Sequence, residues 1–536
     1  MLVVSENPSA KPDNEQPTTP FPVSSFPKPA LRYFAAMAAT QAHPFHLTNT
    51  LSRKKEPFIP LNPPHVGLYV CGPTVYSDVH LGNVRSFLTF DILFRWLRYL
   101  GYSVRYVRNI TDVGHLVGDE DAGEDKIAKR ARLEQLEPME IVQKYTNGFH
   151  EVMRLFNILP PSIEPTATAH IIEQIGMIER IIANGYAYVV NGSVYFDVPK
   201  YAGKHAYGEL SGRKTEDQLA NTRGTEGQDE KRSPLDFALW KQAEKGHLMH
   251  WPSPWGEGFP GWHLECSVMS TKYLGQTFDI HGGGMDLKFP HHECEIAQSV
   301  AADGTAPVRY WMHGNMLTVN GRKMAKSEGN GFTPEELISG NHKLLERGYS
   351  PMTVRFFMLQ CHYASTLDFS NAALQAAEKG LQRLMAAYEI LKGLTAKTPS
   401  APSDGKESFD VETLAKACHA AMNDDLNTPV MIAQLFEGVR AINGAKAGNI
   451  ALTQEQIDIL RGLFSDMLFI ALGLKEEAAT KNEEGLDAGL MDVLLGLRAD
   501  AKNRKDFATS DLIRDKLATL GITVKDTKEG VVWERS

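Results

Sequence analysis

The pattern of apolar and polar positions first becomes regular between residues 66 and 108. Val66 to Cys71 is a short apolar run that ends at a Gly-Pro pair, which is typical of a buried strand followed by a turn. Apolar residues then recur at helical spacing from Leu88 to Leu100, and Ser103 to Arg108 is rich in residues that favour strands. This order predicts two parallel strands joined by a right-handed crossover, a unit that binds ligands at the carboxyl ends of its strands.

A second set of elements follows a long, charged and heterogeneous stretch. Within that stretch the pattern predicts a helix from Ile172 to Asn184 and a loop from Gly212 to Gly227. The sheet is expected to resume at Thr277 to Ile280, with His281 to Gly284 as a turn and a helix from Pro290 onward. The parallel sheet is therefore predicted to be split by an insertion.

The last part of the chain is predicted to be mainly helical. Helical periodicity returns from Leu337 to Leu345 and from Ala372 to Leu394, before a Pro/Ser/Gly-containing linker near Thr398 to Gly405. Helices dominate again from Val411 to Leu474, and a small terminal module begins near Leu486.

These changes of pattern predict an α/β fold: a split Rossmann-like parallel-sheet domain with an insertion, followed by an α-helical bundle and a small mixed module. The expected segments are a disordered tail at 1–44, the first half of the Rossmann-like domain at 45–140, a connective insertion at 141–250, the second half at 251–310, a lysine-loop region at 311–398, a helical bundle at 406–476 and the terminal module at 486–536.

Composition narrows the class of protein. At 536 residues the chain is too long for one hydrophobic core, and it has no uninterrupted apolar run of about 18 residues, which argues against a membrane span. Five scattered cysteines do not resemble a disulfide framework. The first 40 residues lack the apolar segment of a secretory signal. They also contain Glu6, Asp13 and Glu15, whereas organelle transit peptides are usually poor in acidic residues, so a cytoplasmic protein is expected. A net charge of -9 gives no global attraction for nucleic acid.

Two short segments are candidates for a phosphate site. In His80-Leu-Gly-Asn83, Gly82 permits close approach of the backbone at a helix start, while His80 and Asn83 can donate hydrogen bonds to phosphate oxygens. Lys323 and Lys326 lie between glycines in a segment that can close over a triphosphate. Either segment alone is more often an ordinary turn or a solvated charged face. Their order around a split sheet favours a two-part nucleotide site.

Four other residues are candidate metal ligands. Cys71 follows the first predicted strand, Cys266 lies in a Trp-His-Leu-Glu-Cys segment, and His291 and Glu295 are four residues apart on a predicted helix. That spacing places imidazole and carboxylate on one helix face, where they and two thiolates can bind a single zinc ion.

The alternatives for these four residues stay open on the sequence alone. A single buried cysteine is more often a small apolar filler, and a His-x3-Glu pair is more often a surface contact. His292 and Cys294, in the same segment, compete as ligands.

The segments that carry these residues resemble a known family. The tetrapeptide at His80 and the lysine segment are similar to the His-Ile-Gly-His and Lys-Met-Ser-Lys-Ser signatures of class I aminoacyl-tRNA synthetases, with Asn83 and Ala325 as departures. Four further segments resemble cysteinyl-tRNA synthetases: Cys71–Tyr76, Gly261–Ser267, Asp279–Gly284 and Phe289–Glu293. The resemblance runs from about Asn49 to the C-terminus.

The resemblance implies that the chain activates L-cysteine with ATP and Mg²⁺ and transfers it to the terminal ribose of tRNA(Cys), with one zinc ion per subunit taking the substrate thiolate. The implied metal ligands are Cys71, Cys266, His291 and Glu295. The implied ATP-binding residues are His80, Gly82, Asn83, His281, Gly283, Asp286, Lys323 and Lys326, of which His80, Asn83 and the two lysines are expected to be catalytic. The implied contacts to cysteine are Gly72, Thr111, Trp262 and His291.

The same resemblance implies an RNA partner for the C-terminal half. Met422–Pro429 is similar to the start of the family's tRNA-binding helical bundle, and residues from Asn503 to Arg535 are similar to its anticodon-binding module. Candidate RNA contacts there are Arg504, Lys505, Arg514, Lys525 and Trp533. A monomer is expected. Two alternatives remain: a ligase that transfers cysteine to an amino sugar, a class that lacks the anticodon module, and a non-catalytic tRNA-binding paralogue.

Overall fold

The computed structural model describes residues 44–116, 125–213, 230–324, 329–396, 407–477, 483–520, 522–527 and 530–535. Its strands are β1 His46–Asn49, β2 Lys54–Pro57, β3 His65–Val70, β4 Ser103–Arg108, β5 Ala187–Val190, β6 Ser193–Phe196, β7 Phe237–Gln242, β8 Gly258–Pro260, β9 Phe278–Gly284, β10 Val308–Gly314, β11 Leu317–Val319, β12 Arg322–Lys323, β13 Leu367–Phe369, β14 Glu407–Ser408, β15 Ile450–Ala451, β16 Ile522–Thr527 and β17 Gly530–Arg535.

The α-helices are α1 Leu81–Tyr99, α2 Lys126–Glu134, α3 Pro138–Leu155, α4 Ile171–Ala183, α5 Val198–Ala202, α6 Leu264–Leu274, α7 His291–Asp303, α8 Pro334–Ser339, α9 Pro351–Leu359, α10 Asn371–Gly393, α11 Val411–Asn423, α12 Thr428–Ala447, α13 Gln454–Ser465, α14 Glu483–Asn503 and α15 Phe507–Thr519. Short 3-10 helices span Thr168–His170 and Met285–Lys288, and a π-helix spans Asp466–Ala471.

The central sheet is parallel and has the strand order β10-β9-β3-β4. β3 and β4 precede the insertion in sequence, whereas β9 and β10 follow it, so the predicted split sheet is confirmed. The carboxyl ends of the strands lie at one edge, where Cys71 follows β3 and Gly284 ends β9. This edge is where a fold of this type binds its ligands.

Helix α1 is buried on most of its surface, as its apolar residues on all sides indicate. On one side the Phe90 ring covers the backbone of Gly282 in β9. On the other side Trp96 Nε1 donates to Asn423 Oδ1, at 3.0 Å, at the end of α11. The helix thus connects the central sheet to the helical bundle.

One expectation about the central sheet is wrong. His281–Gly284 is the end of β9 and not a turn, because Trp311, Met312 and the residues up to Gly314 pair with it in β10. The glycines there provide space for neighbouring rings. A Cβ on Gly282 would lie 2.1 Å from Phe90, and one on Gly283 would lie 2.7 Å from His292.

The insertion contains a separate antiparallel sheet with the order β5-β6-β7-β8. The helix predicted at residues 172–184 is confirmed as α4, which packs on α7 of the central domain and joins it in a second apolar cluster. The loop predicted from Gly212 to Gly227 lies mostly outside the described residues, which stop at 213 and resume at 230.

Helices α10 to α13 form a bundle, and its contacts with the central domain include a buried aspartate. Asp425 is 3% exposed and accepts hydrogen bonds from the Thr48 backbone N–H, at 2.8 Å, and from the Tyr363 hydroxyl, at 2.6 Å. The helix expected from Leu337 to Leu345 is shorter than predicted, because Gly340 takes a left-handed conformation that ends α8. The linker near Thr398 to Gly405 lies outside the described residues.

The C-terminal residues form α14, α15 and a hairpin of β16 and β17, in which Val524 is opposite Trp533. Within the part of the chain that the structure describes, no helix has both the length and the apolar composition needed to cross a membrane.

Candidate active site and metal centre

A cavity of about 680 Å³ opens at the carboxyl ends of β3, β4 and β9. It brings together most of the candidate residues, although they lie far apart in sequence. Those that line it are Cys71, Gly72, His80, Asn83, Thr111, Trp262, Cys266, Gly283, Asp286 and His291. Gly82, His281 and Glu295 are not among the residues that line it.

The amino end of α1 faces the cavity, with His80 as the residue before the first helical turn. The His80 backbone N–H donates to Asn83 Oδ1, at 3.2 Å, so Asn83 closes the helix start and leaves its amide NH₂ for another acceptor. The first turn contains no acidic residue. Its positive dipole end is therefore not offset by a carboxylate and suits an anion such as phosphate.

The two signature segments contact each other. A Cβ on Gly82 would lie 3.2 Å from Met324 Cε, so glycine at this position allows the lysine segment to approach α1. Lys323 ends strand β12, where its backbone is opposite Thr318. Lys326 lies outside the described residues, in the gap between 324 and 329.

The four candidate metal ligands form a compact buried group. Cys71 Sγ lies 3.6 Å from Cys266 Sγ and 3.6 Å from Glu295 Oε1. His291 Nε2 lies 3.4 Å from Cys266 Sγ and 3.2 Å from Glu295 Oε1. All four side chains are buried, and one ligand atom from each lies within 4.8 Å of the others. The group could hold a metal ion.

A second, overlapping group is also compact: Cys71, His281, His292 and Glu295. In it His281 Nε2 is 2.7 Å from Glu295 Oε2, and His292 Nε2 is 3.2 Å from Cys71 Sγ. Cys294, the other competing ligand, belongs to neither group. Its sulfur lies 3.8 Å from the Tyr207 hydroxyl, inside the second apolar cluster.

Burial determines the protonation state of this group before a cation binds. Desolvation raises the pKa of Cys71 well above its usual value and that of Cys266 to about 12, and the neighbouring acidic groups add to the effect. Desolvation also lowers the pKa of His291 and His292 well below the usual value. The side chains are therefore neutral thiols and imidazoles, and a bound cation is what would favour the thiolates.

The wall of the cavity beside the metal group is aromatic. The Trp262 ring stacks on His115, with centroids 3.9 Å apart and planes at 11°, and its centroid lies 4.6 Å from that of His291. His115 is itself held by Thr74 Oγ1, 2.7 Å from its Nδ1, and by Lys126 Nζ, 2.7 Å from its Nε2. No pattern in the sequence indicated His115, because its partners Thr74, Lys126 and Trp262 lie in separate parts of the chain.

Glu265 is a second cavity residue that sequence reasoning missed. Its side chain is 2% exposed, and its Oε1 accepts a hydrogen bond from the Thr111 hydroxyl. Desolvation by burial raises the pKa of Glu265 well above its usual value. The one available signal was its position beside Cys266, since its partner Thr111 is 154 residues away in sequence.

The candidate RNA contacts lie apart from the cavity residues. Arg504 and Lys505 are exposed after α14, and Trp533 is half-buried in β17. Arg514 is exposed and lies within 3.0 Å of Asp511 and 3.1 Å of Asp515. Lys525 is opposite Val532 in the hairpin.

Comparison with known proteins agrees with this fold. The family model described as the class I (C) catalytic domain of tRNA synthetases matches residues 57–379. A methionyl-tRNA synthetase of Mycobacterium tuberculosis, solved with methionyl-adenylate, has a similar fold with a TM-score of 0.52 at 13% identity, over 76% of this chain and 89% of that one. The fold and the catalytic segment therefore define a class I aminoacyl-tRNA synthetase.

Other matches give the particular family. A DALR-domain model matches residues 417–473, and a model of the cysteinyl-tRNA ligase anticodon-binding domain matches residues 484–533. The cysteine-tRNA ligase of Bacteroides fragilis is 58% identical over 92% of this chain and 99% of its own length, and that of Porphyromonas gingivalis is 59% identical over the same shares. The chain belongs to the cysteine-tRNA ligase family.

Proposed function

We propose that this chain activates cysteine with ATP and transfers it to tRNA(Cys) at the cavity between α1 and the Cys71/Cys266/His291/Glu295 group. The observation that carries the proposal is that a helix start suited to phosphate and a thiol-rich metal group open on the same cavity. Activation of an amino acid requires both substrates to meet there, because the carboxylate must reach the α-phosphorus of ATP.

The separations within the metal group support zinc as its ion. With usual zinc bond lengths, a tetrahedral site has edges of about 3.8 Å between two sulfurs, about 3.6 Å from sulfur to nitrogen or oxygen, and about 3.4 Å from nitrogen to oxygen. Four of the six edges of the group can be compared: Cys71–Cys266 is 3.6 Å, Cys266–His291 is 3.4 Å, Cys71–Glu295 is 3.6 Å and His291–Glu295 is 3.2 Å. Each lies within about 0.2 Å of the tetrahedral value.

The overlapping group fits the same geometry less well. His292 Nε2 lies 3.2 Å from Cys71 Sγ and 3.9 Å from Glu295 Oε1, which departs from the tetrahedral edges by about 0.4 to 0.5 Å in opposite directions. His292 Nδ1 is also paired with His313 Nε2, at 2.8 Å. His281 and His292 therefore support the ligands and are not ligands themselves.

When bound, zinc would act as a Lewis acid that binds a thiolate more strongly than a hydroxyl. This difference would distinguish cysteine from serine. The protein's own residues do the rest. Gly72, Thr111, Trp262 and His291 border the space beside the metal group and would surround the amino acid. The binding energies of such close analogues in a purely apolar pocket differ by only about 1 to 3 kcal/mol. The selectivity for cysteine would therefore come from the metal group.

The nucleotide would lie across the start of α1, with its Mg²⁺ bound by the phosphates. His80 and the Asn83 amide would donate to the phosphate oxygens as negative charge develops, and Lys323 and Lys326 would approach from the lysine segment that contacts Gly82. Gly283 and Asp286, at the end of β9, border the same cavity and would contact the nucleoside. His281, the other residue implied for ATP, is hydrogen-bonded to Glu295 and would act through it on the metal group beside the nucleotide.

The C-terminal residues would recognise the RNA. The match of residues 484–533 to an anticodon-binding domain is the feature that an amino-sugar ligase is expected to lack. Arg504 and Lys505 are exposed and would contact phosphate, while Trp533 would offer a stacking surface. We also propose that the enzyme is cytoplasmic and that it acts as a monomer, since the residues that line the cavity all come from one chain.

The decisive experiment is aminoacylation by the purified, zinc-loaded protein. Labelled cysteine and ATP are supplied with unfractionated tRNA, with serine as the competing amino acid and an amino-sugar acceptor in parallel. Cysteine alone should be attached, and only to tRNA. Cysteine-dependent pyrophosphate exchange without tRNA charging would point to another acceptor, and absence of both reactions would favour a non-catalytic paralogue.

A lysine variant tests the nucleotide site within that assay. Lys326→Ala should slow cysteine-dependent pyrophosphate exchange by at least about tenfold, because a charge that stabilises the transition state is removed. Lys379→Ala, on the exposed face of α10, is the matched control and should leave the rate unchanged. Normal exchange in the Lys326 variant would exclude a major catalytic role for the lysine segment.

A further inference from the structure

One oxygen of a buried carboxyl group in the cavity has no partner. Glu265 is 2% exposed and lines the cavity, and its Oε1 accepts from the Thr111 hydroxyl. Among the residues that the structure describes, none donates a hydrogen bond to its Oε2. A buried polar atom without a partner is costly and rare in folded proteins, so a ligand is the simplest source of the missing donor.

The carboxyl group is held in place by a chain of hydrogen bonds that reaches the metal group. Asn109 Nδ2 donates to Thr111 Oγ1, at 3.1 Å, and Asn109 Oδ1 accepts from the Gly72 backbone N–H, at 2.8 Å. The same Asn109 oxygen lies 3.7 Å from the sulfur of Cys266, the residue that follows Glu265. Glu265 is therefore fixed relative to the site that would take the substrate sulfur.

The electrostatic environment of Glu265 favours a cation. The charges that act on it most strongly, Asp112 and Glu295, are both acidic. A positively charged donor at Oε2 would lower this repulsion and supply the missing hydrogen bond. A neutral donor would supply the hydrogen bond without lowering the repulsion, and an anionic group would do neither.

Cysteine carries such a group close to its sulfur. Two carbon atoms separate the sulfur from the α-ammonium nitrogen, so the two atoms lie about 3 to 4 Å apart in staggered conformations. We propose that Glu265 Oε2 accepts a hydrogen bond from the α-ammonium group of the substrate amino acid. This inference rests on the proposed function, since it takes the substrate sulfur to lie at the group of Cys71, Cys266, His291 and Glu295.

The assignment gives the amino acid two separate points of recognition. The metal group recognises the sulfur, and Glu265, positioned by Thr111, recognises the ammonium. Small thiols that lack an amino group would then bind the metal group without the second contact. The enzyme would discriminate against these thiols because they bind more weakly than cysteine, and not because of their shape.

The test compares two ligands on two proteins. Binding of cysteine and of 3-mercaptopropionic acid, which lacks the amino group, is measured by calorimetry on zinc-loaded wild type and on Glu265→Gln. Glutamine can keep the Thr111 contact through its oxygen while its NH₂ faces the ammonium. The affinity for cysteine should fall about 10- to 100-fold in the variant, as expected for a charged hydrogen bond, while that for 3-mercaptopropionic acid should change less than about twofold.

Glu293→Gln is the matched control. Glu293 is 1% exposed, its Oε2 accepts from the Ser211 backbone N–H, at 2.8 Å, and its Oε1 also has no hydrogen-bonding partner in the described parts of the chain. It does not line the cavity, so its replacement should alter neither affinity. Zinc content is measured on every variant to separate ligand binding from metal loss.

The outcomes separate this inference from the proposed function. An equal loss of affinity for both ligands, or no loss for either, would overturn the role of Glu265 while leaving the enzyme a cysteine ligase. Failure of the wild type to bind cysteine would overturn both. If Glu265→Gln does not fold, Glu265→Asp replaces it, and the same ratio of affinities for the two ligands decides the question.

Discussion

The imidazole of His281 and the carboxylate of Glu295 are joined by a buried hydrogen bond of 2.7 Å between Nε2 and Oε2. The other oxygen of Glu295 faces Cys71 and His291 in the metal group. His281 is 1% exposed and is further packed against Trp311, with ring centroids 4.5 Å apart. Glu295 is thus oriented by a residue that is not itself in that group.

Removing His281 should therefore weaken metal binding without abolishing it. In His281→Ala we expect the zinc affinity to fall about 10- to 100-fold, the usual effect of losing a partner that orients a ligand. Competition with a chelator measures the change. His170→Ala is the control, because His170 is equally buried but pairs with Tyr273. An equal fall in zinc affinity in the two variants would show that general loss of packing is responsible.

The four candidate metal ligands were proposed from the sequence, and the structure brings their side chains together. Two of the candidate ligands, His291 and Glu295, lie four residues apart in α7, so helix geometry alone places them on one face. Cys71 follows β3 and Cys266 lies in α6, and the two residues, which are 195 positions apart in sequence, meet only in the folded chain. Spacing alone could not decide between His291 and His292, since both lie within one helical turn of Glu295.

Cysteine replacement separates a ligand from a structural thiol. Cys266→Ala should lose bound zinc and cysteine-dependent pyrophosphate exchange together, because it removes one of the four proposed ligands. Cys294→Ala should keep both, since this sulfur lies against Tyr207 in an apolar cluster. Zinc is measured by elemental analysis of the purified proteins. Stoichiometric zinc and normal exchange in Cys266→Ala would exclude the site.

The importance of the close contact between Gly82 and Met324 for activity can be tested by Gly82→Ala, which adds one methyl group. A Cβ on Gly82 would lie 3.0 Å from the His80 ring and 3.2 Å from Met324, so Gly82→Ala must displace one of them. We expect cysteine-dependent exchange to slow by about tenfold, because displacements of this size at a catalytic site cost activity. The exchange rate at saturating ATP and cysteine is the measurement.

The control for this change is a helical glycine with open space around it. A Cβ on Gly148, in α3, would meet nothing within 4 Å. Gly148→Ala should leave the exchange rate unchanged and should stabilise the protein by up to about 1 kcal/mol, since alanine favours the helix. A rate for Gly82→Ala equal to that of Gly148→Ala would show that the approach of Met324 does not matter.

The parts that the sequence could not predict are those that depend on tertiary contacts. His281–Gly284 has the composition of a turn, yet pairing with β10 makes it a strand whose glycines give space to Phe90 and His292. Glu265 gave no periodic signal because its partner is remote in sequence. Patterns with a local period, such as α10 and β4, were predicted to within a residue or so at each end.

The pH dependence of stability should carry the signature of Asp466 in the π-helix. Burial raises its pKa from the usual 3.8 to about 6, with the hydrogen bond from the Tyr99 hydroxyl acting in the opposite direction. The folded protein therefore keeps this proton between about pH 4 and 6 while the unfolded chain loses it, so the contribution of Asp466 to stability falls as pH rises through that window. Asp466→Asn cannot titrate and should be more stable than wild type at pH 7.5, by roughly 1 to 2 kcal/mol.

The advantage of Asp466→Asn should disappear below about pH 4, where the wild-type carboxyl is protonated in both states. The urea midpoint of unfolding, measured at pH 7.5, 5 and 4, gives the comparison. Asp500→Asn, at an exposed position in α14, is the control and should match wild type at each pH. A constant difference between Asp466→Asn and wild type across the three pH values would mean that packing, and not the proton, distinguishes the two side chains.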